Sequence, residues 1–327
     1  MARFFREAFW NNTAENVKDE KYRVVFVGLG ERPFLGGKVE PWKFFPPFCN
    51  RLANAGVSYA FVTKPERLPS FDQDANAFVH VYREVTEAEN ICAMLPDLPD
   101  SVHFNHPLKG VIVADKHETN KLLSKKGVPM PRLIVDGQSV RAKVFSNANS
   151  ASGAAVQVLE SDDELDQSRY NTEFIDTRIE FKGIEYYTCV RVMTVGPHII
   201  HAYCRARPVS QNSASVHNQD TPLDPELIEH LQKIKVDPFM EAFSNIAFLN
   251  NQVLGPGFFA LDIVVSSEND RVFLVEPGYK FNDPSYVEHL RPIAHKLPSH
   301  AVLFSDKFAE KSADLFLRNL AVPWLPF

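Results

Sequence analysis

The sequence predicts an α/β (α+β) fold, with an open β-α-β lobe leading and antiparallel strands near the end. Three observations carry that expectation. Residues 22–28 read YRVVFVG, a β-branched run stopping at a glycine, the pattern of a strand buried on both faces. A helix-like stretch at 42–55 and a second strand at 57–62 follow, in the order of an α/β lobe. Residues 258–265 and 271–276 are apolar runs flanking SSEND, whose turn composition pairs them as a hairpin.

The bulk numbers narrow the field. The 327 residues are 45% hydrophobic, enough for two or three packed lobes with a sizeable core. With 23% charged residues and a net charge of -6, neither nucleic acid nor an anionic membrane is expected as the main partner. Four cysteines, at 49, 92, 189 and 204, form no C-x-x-C pair and no zinc spacing, which fits a reducing compartment. The first residues, MARFFREAFWNNT, lack the apolar run of a signal peptide, and no stretch approaches the length of a membrane span. A soluble cytoplasmic protein is the expectation.

The remaining elements follow in order. Gly28 and Gly30 could begin a dinucleotide fingerprint, but its third glycine is missing and a strand-to-helix turn is the plainer reading. Residues 101–112 start as a strand and break at Pro107. Residues 115–126, DKHETNKLLSKK, read as a helix stopped by Gly127, after which Pro129 and Pro131 force extended chain. Short strands at 132–135 and 140–145 are joined by Asp136 and Gly137, a hairpin signal. Residues 146–155, SNANSASGAA, read as a loop of small polar residues, 156–159 as a strand, and 161–164 as a helix cap with an acidic first turn. Strands are expected at 173–175, 185–195 and 198–204, a polar stretch at 207–220, and helices near 225–235 and 238–250.

Four groups of residues point to chemistry. Asp262 and Glu276 each interrupt an apolar strand, where a charge is costly unless paired or bound to metal. Pairing through the 266–270 turn brings the two carboxylates together, and two adjacent carboxylates want a cation such as magnesium. The plain alternative is two solvated edge-strand acids. Lys116 opens a helix, and Lys143 feeds the small-residue loop, where its charge and the loop's N–H groups suit a phosphate; either alone also fits a surface lysine. Residues 172–180, TEFIDTRIE, form an extended segment able to offer backbone groups to an adenine edge, with Glu180 and Glu185 as acceptors for ribose hydroxyls. Arg191 lies in one strand, and Arg205 and Arg207 share a face of another; arginine forks suit phosphate or carboxylate oxygens, or simply a solvated strand face.

The order of these groups is more specific than any one of them. The run of D-K helix, G-V-P-M-P, strand lysine, small-residue loop, E-F-I, strand arginine, R-x-R, L-D-I and V-E-P resembles the ATP-grasp superfamily. It is most similar to the branch of glutathione synthetases and ribosomal-protein glutamate ligases. The resemblance covers roughly residues 104–290. It implies a Rossmann-like α/β domain at 1–108, a small trimmed lid subdomain at 109–172 and a C-terminal antiparallel-sheet subdomain at 173–327. It implies ATP and Mg²⁺ as cofactors. Lys116, Lys143 and the loop residues Ser146, Ser152 and Gly153 would hold phosphates. Glu173, Phe174 and Ile175 would form the adenine hinge, and Glu180 or Glu185 would take the ribose. Arg191, Arg205 and Arg207 would face phosphates or an acyl-phosphate, and Asp262, Glu276 and Asn282 would bind metal.

The implied activity is ligation of a small-molecule carboxylate to an amine through an acyl-phosphate, with homodimerisation left open. The chain departs from the family in three places. The E-x-N of the second metal position reads Glu276-Pro277-Gly278, with Asn282 or Asp283 as the replacement. The segment 136–139 leaves room for a turn where the family has a helix, and the lid carries one glycine, Gly153. Rival readings are an ATP-binding protein that has lost catalysis, a small-molecule kinase on the same scaffold, and a dinucleotide-dependent oxidoreductase using Gly28 and Gly30.

Overall fold

Strand β1 (Tyr22–Val27) carries four consecutive residues, Val24 to Val27, that are wholly inaccessible to solvent, as expected of a strand covered on both faces. This follows from a computed structural model, which describes residues 22–27, 41–62, 75–81, 89, 92–93, 102–134, 143–148, 156–159, 165–211 and 213–321. β1 is flanked in parallel by β2 (Val57–Val62) and β3 (Ala77–His80), and β4 (Val102–Phe104) extends the sheet beyond β3. Helix α1 (Pro41–Asn54) lays Phe44, Phe45, Phe48 and Leu52 into the same core as β1. The predicted β-α-β order is therefore present.

Two short helices lead out of this lobe. α2 (Pro107–Ala114) starts with proline at its first position, where no N–H is missed, and His106 caps it by accepting from the Leu108 N–H at 3.2 Å. α3 (Lys116–Lys125) is capped by Asp115, whose Oδ1 accepts from Glu118 N at 3.0 Å. Gly127 ends it at φ +84°, a left-handed conformation that favours glycine. The helix expected over 115–126 is thus found with its cap and stop; α2 was hidden by reading Pro107 as a break.

The second sheet is small and antiparallel, in the order β6 (Gln157–Leu159), β5 (Val144–Asn147), β7 (Tyr170–Glu173). β5 runs on to Asn147, so Ser146 and Asn147 are strand residues and not loop as their composition suggests. β7 spans Tyr170–Glu173, whereas the strand was expected at 173–175. The stretch 132–135 contributes one bridge, Leu133 to Thr172. The Asp136-Gly137 turn, the cap at 161–164, and Gly28, Gly30, Ser152 and Gly153 lie outside the described residues.

The third sheet is also antiparallel, in the order β10 (His198–Pro208), β9 (Ile184–Val195), β11 (Phe258–Val265), β12 (Val272–Tyr279), with β8 (Ile179–Phe181) added beside β9. β11 and β12 form the predicted hairpin. α4 (Pro225–Leu231) and α5 (Met240–Leu254) cover one face with a second apolar core. α6 (Pro284–Leu290) and α7 (Lys307–Ala321) close the chain. α7 returns to the first lobe: Phe316 is fully buried, with its ring centroid 4.6 Å from that of Phe104 and 5.7 Å from that of Phe48. The first sheet thus completes its core with residues some three hundred positions away. Among the described residues no helix is long and apolar enough to cross a membrane.

Candidate active site

The uncovered face of the third sheet carries the charges. Alternation along a strand sends every second side chain to one face, and antiparallel register sets partners side by side. Arg205 on β10 stands opposite Cys189 on β9, Arg191 on β9 opposite Asp262 on β11, and Asp262 opposite Glu276 on β12. Four strands therefore bring two arginines and two carboxylates onto one surface. The two carboxylates meet as the hairpin reading required.

Asp262 is held by both guanidinium groups. Arg191 grips it as a fork, Nε to Oδ1 at 2.9 Å and Nη2 to Oδ2 at 2.9 Å, and Arg205 Nη2 donates to Oδ1 at 2.8 Å. Burial pushes the Asp262 carboxyl up, but the two arginines outweigh it and bring it down to about 2. Arg191 continues through Nη1 to Asp283 Oδ2 at 2.5 Å. Asp283 is 1% exposed and gathers further donors: Tyr203 OH at 2.6 Å, Asn218 Nδ2 at 2.9 Å, and Lys280 Nζ and Ser285 Oγ at 3.0 Å each. Burial opposes its charge, and Arg191 and Lys280 hold its carboxyl far below the usual range.

Lys116 approaches from the other side. It is the first residue of α3, 5% exposed, with Nζ 3.8 Å from Glu276 Oε2 and donating to Ala148 O at 3.3 Å. One lysine thus links the third sheet to the end of β5. Burial raises the Glu276 carboxyl; Lys116 lowers it and Asp262 raises it again, leaving it above the usual carboxylate range. A carboxylate in that setting is stabilised by a further cation.

These groups line one cavity of about 620 Å³ between the second and third sheets. Its floor is Cys189, Arg191, Arg205, Asp262 and Glu276. One wall is Phe145, Asn147, Tyr170 and the segment Glu173-Phe174-Ile175. Lys280 and the segment 214–217 form the opposite rim. Glu173 is fixed by accepting from Arg132 N at 2.9 Å, and the Phe174 N–H is taken by Lys143 O at 3.1 Å.

Several expected positions fall elsewhere. Ser146 is fully buried on the strand face away from Phe145 and Asn147, where its hydroxyl accepts from Arg169 Nε at 2.8 Å. Lys143 is exposed just before β5; alternation gives it the face of Phe145 and Asn147, but it does not line the cavity. Glu180 and Glu185 stand opposite each other on the exposed β8–β9 hairpin, outside the cavity, because that hairpin runs past the cavity into solvent. Arg207 also lies outside, binding Gln211 Oε1 and Ser215 O at 3.0 Å and Asp220 Oδ2 at 3.4 Å. Asn282 does not line the cavity; its neighbour Asp283 turns into the charge network instead.

Sequence reasoning gave no role to Tyr203 or Cys189, and it singled out no residue at 214–217 within the polar stretch 207–220. The period of two on β9 and β10 was the available signal for the first two, since both share a face with Arg191 and Arg205. Among the described residues no group of three or more His, Cys, Asp or Glu side chains is arranged to hold a metal. The donor set nevertheless fits magnesium in kind: two juxtaposed carboxylates give hard oxygen ligands, and burial leaves Glu276 short of positive charge.

No family model matches the chain. Among curated proteins, the coenzyme gamma-F420-2:alpha-L-glutamate ligase of Methanococcus maripaludis is 28% identical over 127 residues, covering 34% of this chain and 44% of that protein. The match therefore spans less than half the length of that relative. The ATP-grasp ligase PsnB, solved with precursor peptide PsnA2 and AMPPNP, superposes with a TM-score of 0.50 at 13% identity, covering 89% of this chain and 99% of PsnB. A RiPP-associated ATP-grasp ligase of Chryseobacterium gregarium, solved with ADP and a leader and core peptide, gives 0.49 at 12% identity over 93% and 100% of the two chains.

Proposed function

We propose that this chain, which has the ATP-grasp fold, is an ATP-dependent ligase joining a carboxylate to an amine through an acyl-phosphate. The observation that carries the reading is the convergence of Lys116, Arg191, Arg205, Asp262 and Glu276 on one cavity between two antiparallel sheets. Adenine would lie against Phe174 and Ile175, with Glu173 at the edge of the hinge. The phosphates would run toward Lys116, and Lys143 would join them across the β5 face. Asp262 and Glu276 would hold magnesium, which when bound supplies charge neutralisation at the phosphates.

The side chains act mainly by position and charge. A substrate carboxylate oxygen displaces ADP from the γ-phosphorus, and an amine then displaces phosphate from the acyl carbon. Negative charge grows on the transferred oxygens in both steps. Arg191 and Arg205, pre-set by Asp262, Asp283 and Cys189, meet that charge with little reorganisation.

A second reading has one specific observation in its favour. Gly278 stands where the family has asparagine, and both Asp262 oxygens are taken by guanidinium groups. That arrangement fits a nucleotide-binding protein without turnover. The two readings separate on incubation with ATP, Mg²⁺ and a pool of amino acids. Ligation predicts ADP and phosphate release that needs both an acid and an amine. Nucleotide binding with no ADP release supports the second reading.

A further inference from the structure

The rim formed by residues 214–217 lines the same cavity as Arg205. It is a rigidly tied strap. Arg207 donates to Ser215 O and Asp220, the His217 N–H donates to Asp220 Oδ2 at 2.6 Å, and Asn218 is anchored on Asp283 and Ser285. His289 on α6 bonds Thr221 O at 2.7 Å at the far end. The strap presents Ser215 and His217 to the cavity, with Ser215 Oγ 3.2 Å from His217 Nε2.

The charge around the strap sets the chemical problem. Arg191, Arg205 and Lys280 line this end, and Arg207 stands behind it. Asp262, Asp283 and Asp220 are each already paired with one or more of these cations. An amine attacks only in its neutral form, through its lone pair, and has a proton to lose as it joins the acyl carbon. The other cavity groups are poor acceptors for that proton. Asp262 is held between two guanidinium groups, Glu276 is a proposed metal ligand with Lys116 Nζ 3.8 Å away, and Glu173 accepts from the Arg132 backbone. Cys189 is raised by burial and contacts Arg205 at 3.1 Å.

Resting on the ligase reading, we propose that Ser215 and His217 form the proton-accepting pair for the amine substrate. The amine nitrogen bonds to the acyl carbon, the carbon–oxygen bond to phosphate breaks, and phosphate leaves with that electron pair. The amine's surplus proton passes to Ser215 Oγ as the Ser215 hydroxyl proton moves to His217 Nε2. Imidazole then returns it to solvent at the exposed rim. Imidazole is the side chain suited to this exchange near neutral pH.

The test uses hydroxylamine, whose nitrogen, bonded to oxygen, becomes acidic enough on joining the acyl carbon to lose its proton to water without a base. The full chain, ATP, Mg²⁺ and pooled amino acids are assayed with and without it, scoring hydroxamate, amide and ADP. His217→Gln is expected to form hydroxamate as the unaltered protein does. Its amide formation at pH 7 is expected to fall by about 10²–10⁴-fold, the usual contribution of a general base. The deficit should shrink as pH rises and hydroxide takes the proton in place of the imidazole, and Ser215→Ala should follow the same pattern. Undiminished amide formation by His217→Gln at pH 7, or equal loss of hydroxamate and amide, overturns the assignment. If the unaltered protein yields neither hydroxamate nor ADP, the ligase reading itself fails and this assignment with it.

Discussion

Asp283 shows how much of this site depends on single buried charges. Its carboxylate is almost wholly enclosed and accepts from Arg191, Tyr203, Asn218, Lys280 and Ser285. Removing one partner of such a buried pair leaves an uncompensated charge, which costs about 3–5 kcal/mol. Asp283→Ala is therefore expected to lower unfolding stability by that amount in a urea titration, while Asp283→Asn, which keeps the shape, loses less. Equal stability of Asp283→Ala and the unaltered protein would show that Arg191 finds another partner. At this scale the sequence was legible where a charge interrupts an apolar strand, as at Asp262 and Glu276. It was misleading where only spacing was available. Glu180 and Glu185 fall on a hairpin that leaves the cavity; Ser146 occupies the expected stretch of chain, but the face on which a side chain lands depends on where the strand begins. A shift of one residue sends it to the other side. Asp283 was visible only as an acid near a degenerate motif, because three of its five partners, Arg191, Tyr203 and Asn218, come from three distant segments.

The elements divide by how local their causes are. The β11–β12 hairpin and helix α3 were readable because turn composition, cap and stop all lie within a few residues. The end of β5 was not, since Ser-Asn reads as loop until β7 pairs with it. The least legible event is the docking of α7. Its sequence shows an amphipathic helix but not the surface it covers, and that surface is α1 together with β9 and β10 of the third sheet, with Phe104 of the first sheet against Phe316. Phe316 is the anchor, stacked near Phe48, Phe104 and Phe258. Phe316→Ala is expected to cost about 3–5 kcal/mol in the same titration, the range for emptying a buried aromatic site. A cost near zero would mean that α7 contributes little to the first core.

Over the whole molecule, three imidazoles set an acid limit. Burial, together with His106 beside it, lowers His103 to about 4. Burial and Lys311 lower His201 to about 4, and burial and His201 lower His300 to about 3. Each is neutral in the fold and takes a proton more readily when unfolded, with an ordinary value of about 6.5. Their contribution is thus complete above about pH 6.5 and is lost as pH falls toward 4 and then 3. Unfolding free energy is expected to drop by at least about 2 kcal/mol between pH 7 and pH 5. A flat profile over that interval would show these imidazoles to be hydrated in the folded chain.

The cavity unites the two sheets of the C-terminal half, and its proposed role turns on nucleotide binding. Calorimetric titration with ATP and Mg²⁺ tests that most directly, with Lys116→Ala as the comparison. The expected result is saturable binding at one site, weakened about 10–100-fold in Lys116→Ala by loss of a charge-assisted phosphate contact. No binding by the unaltered protein, or binding that Lys116→Ala leaves intact, would contradict it.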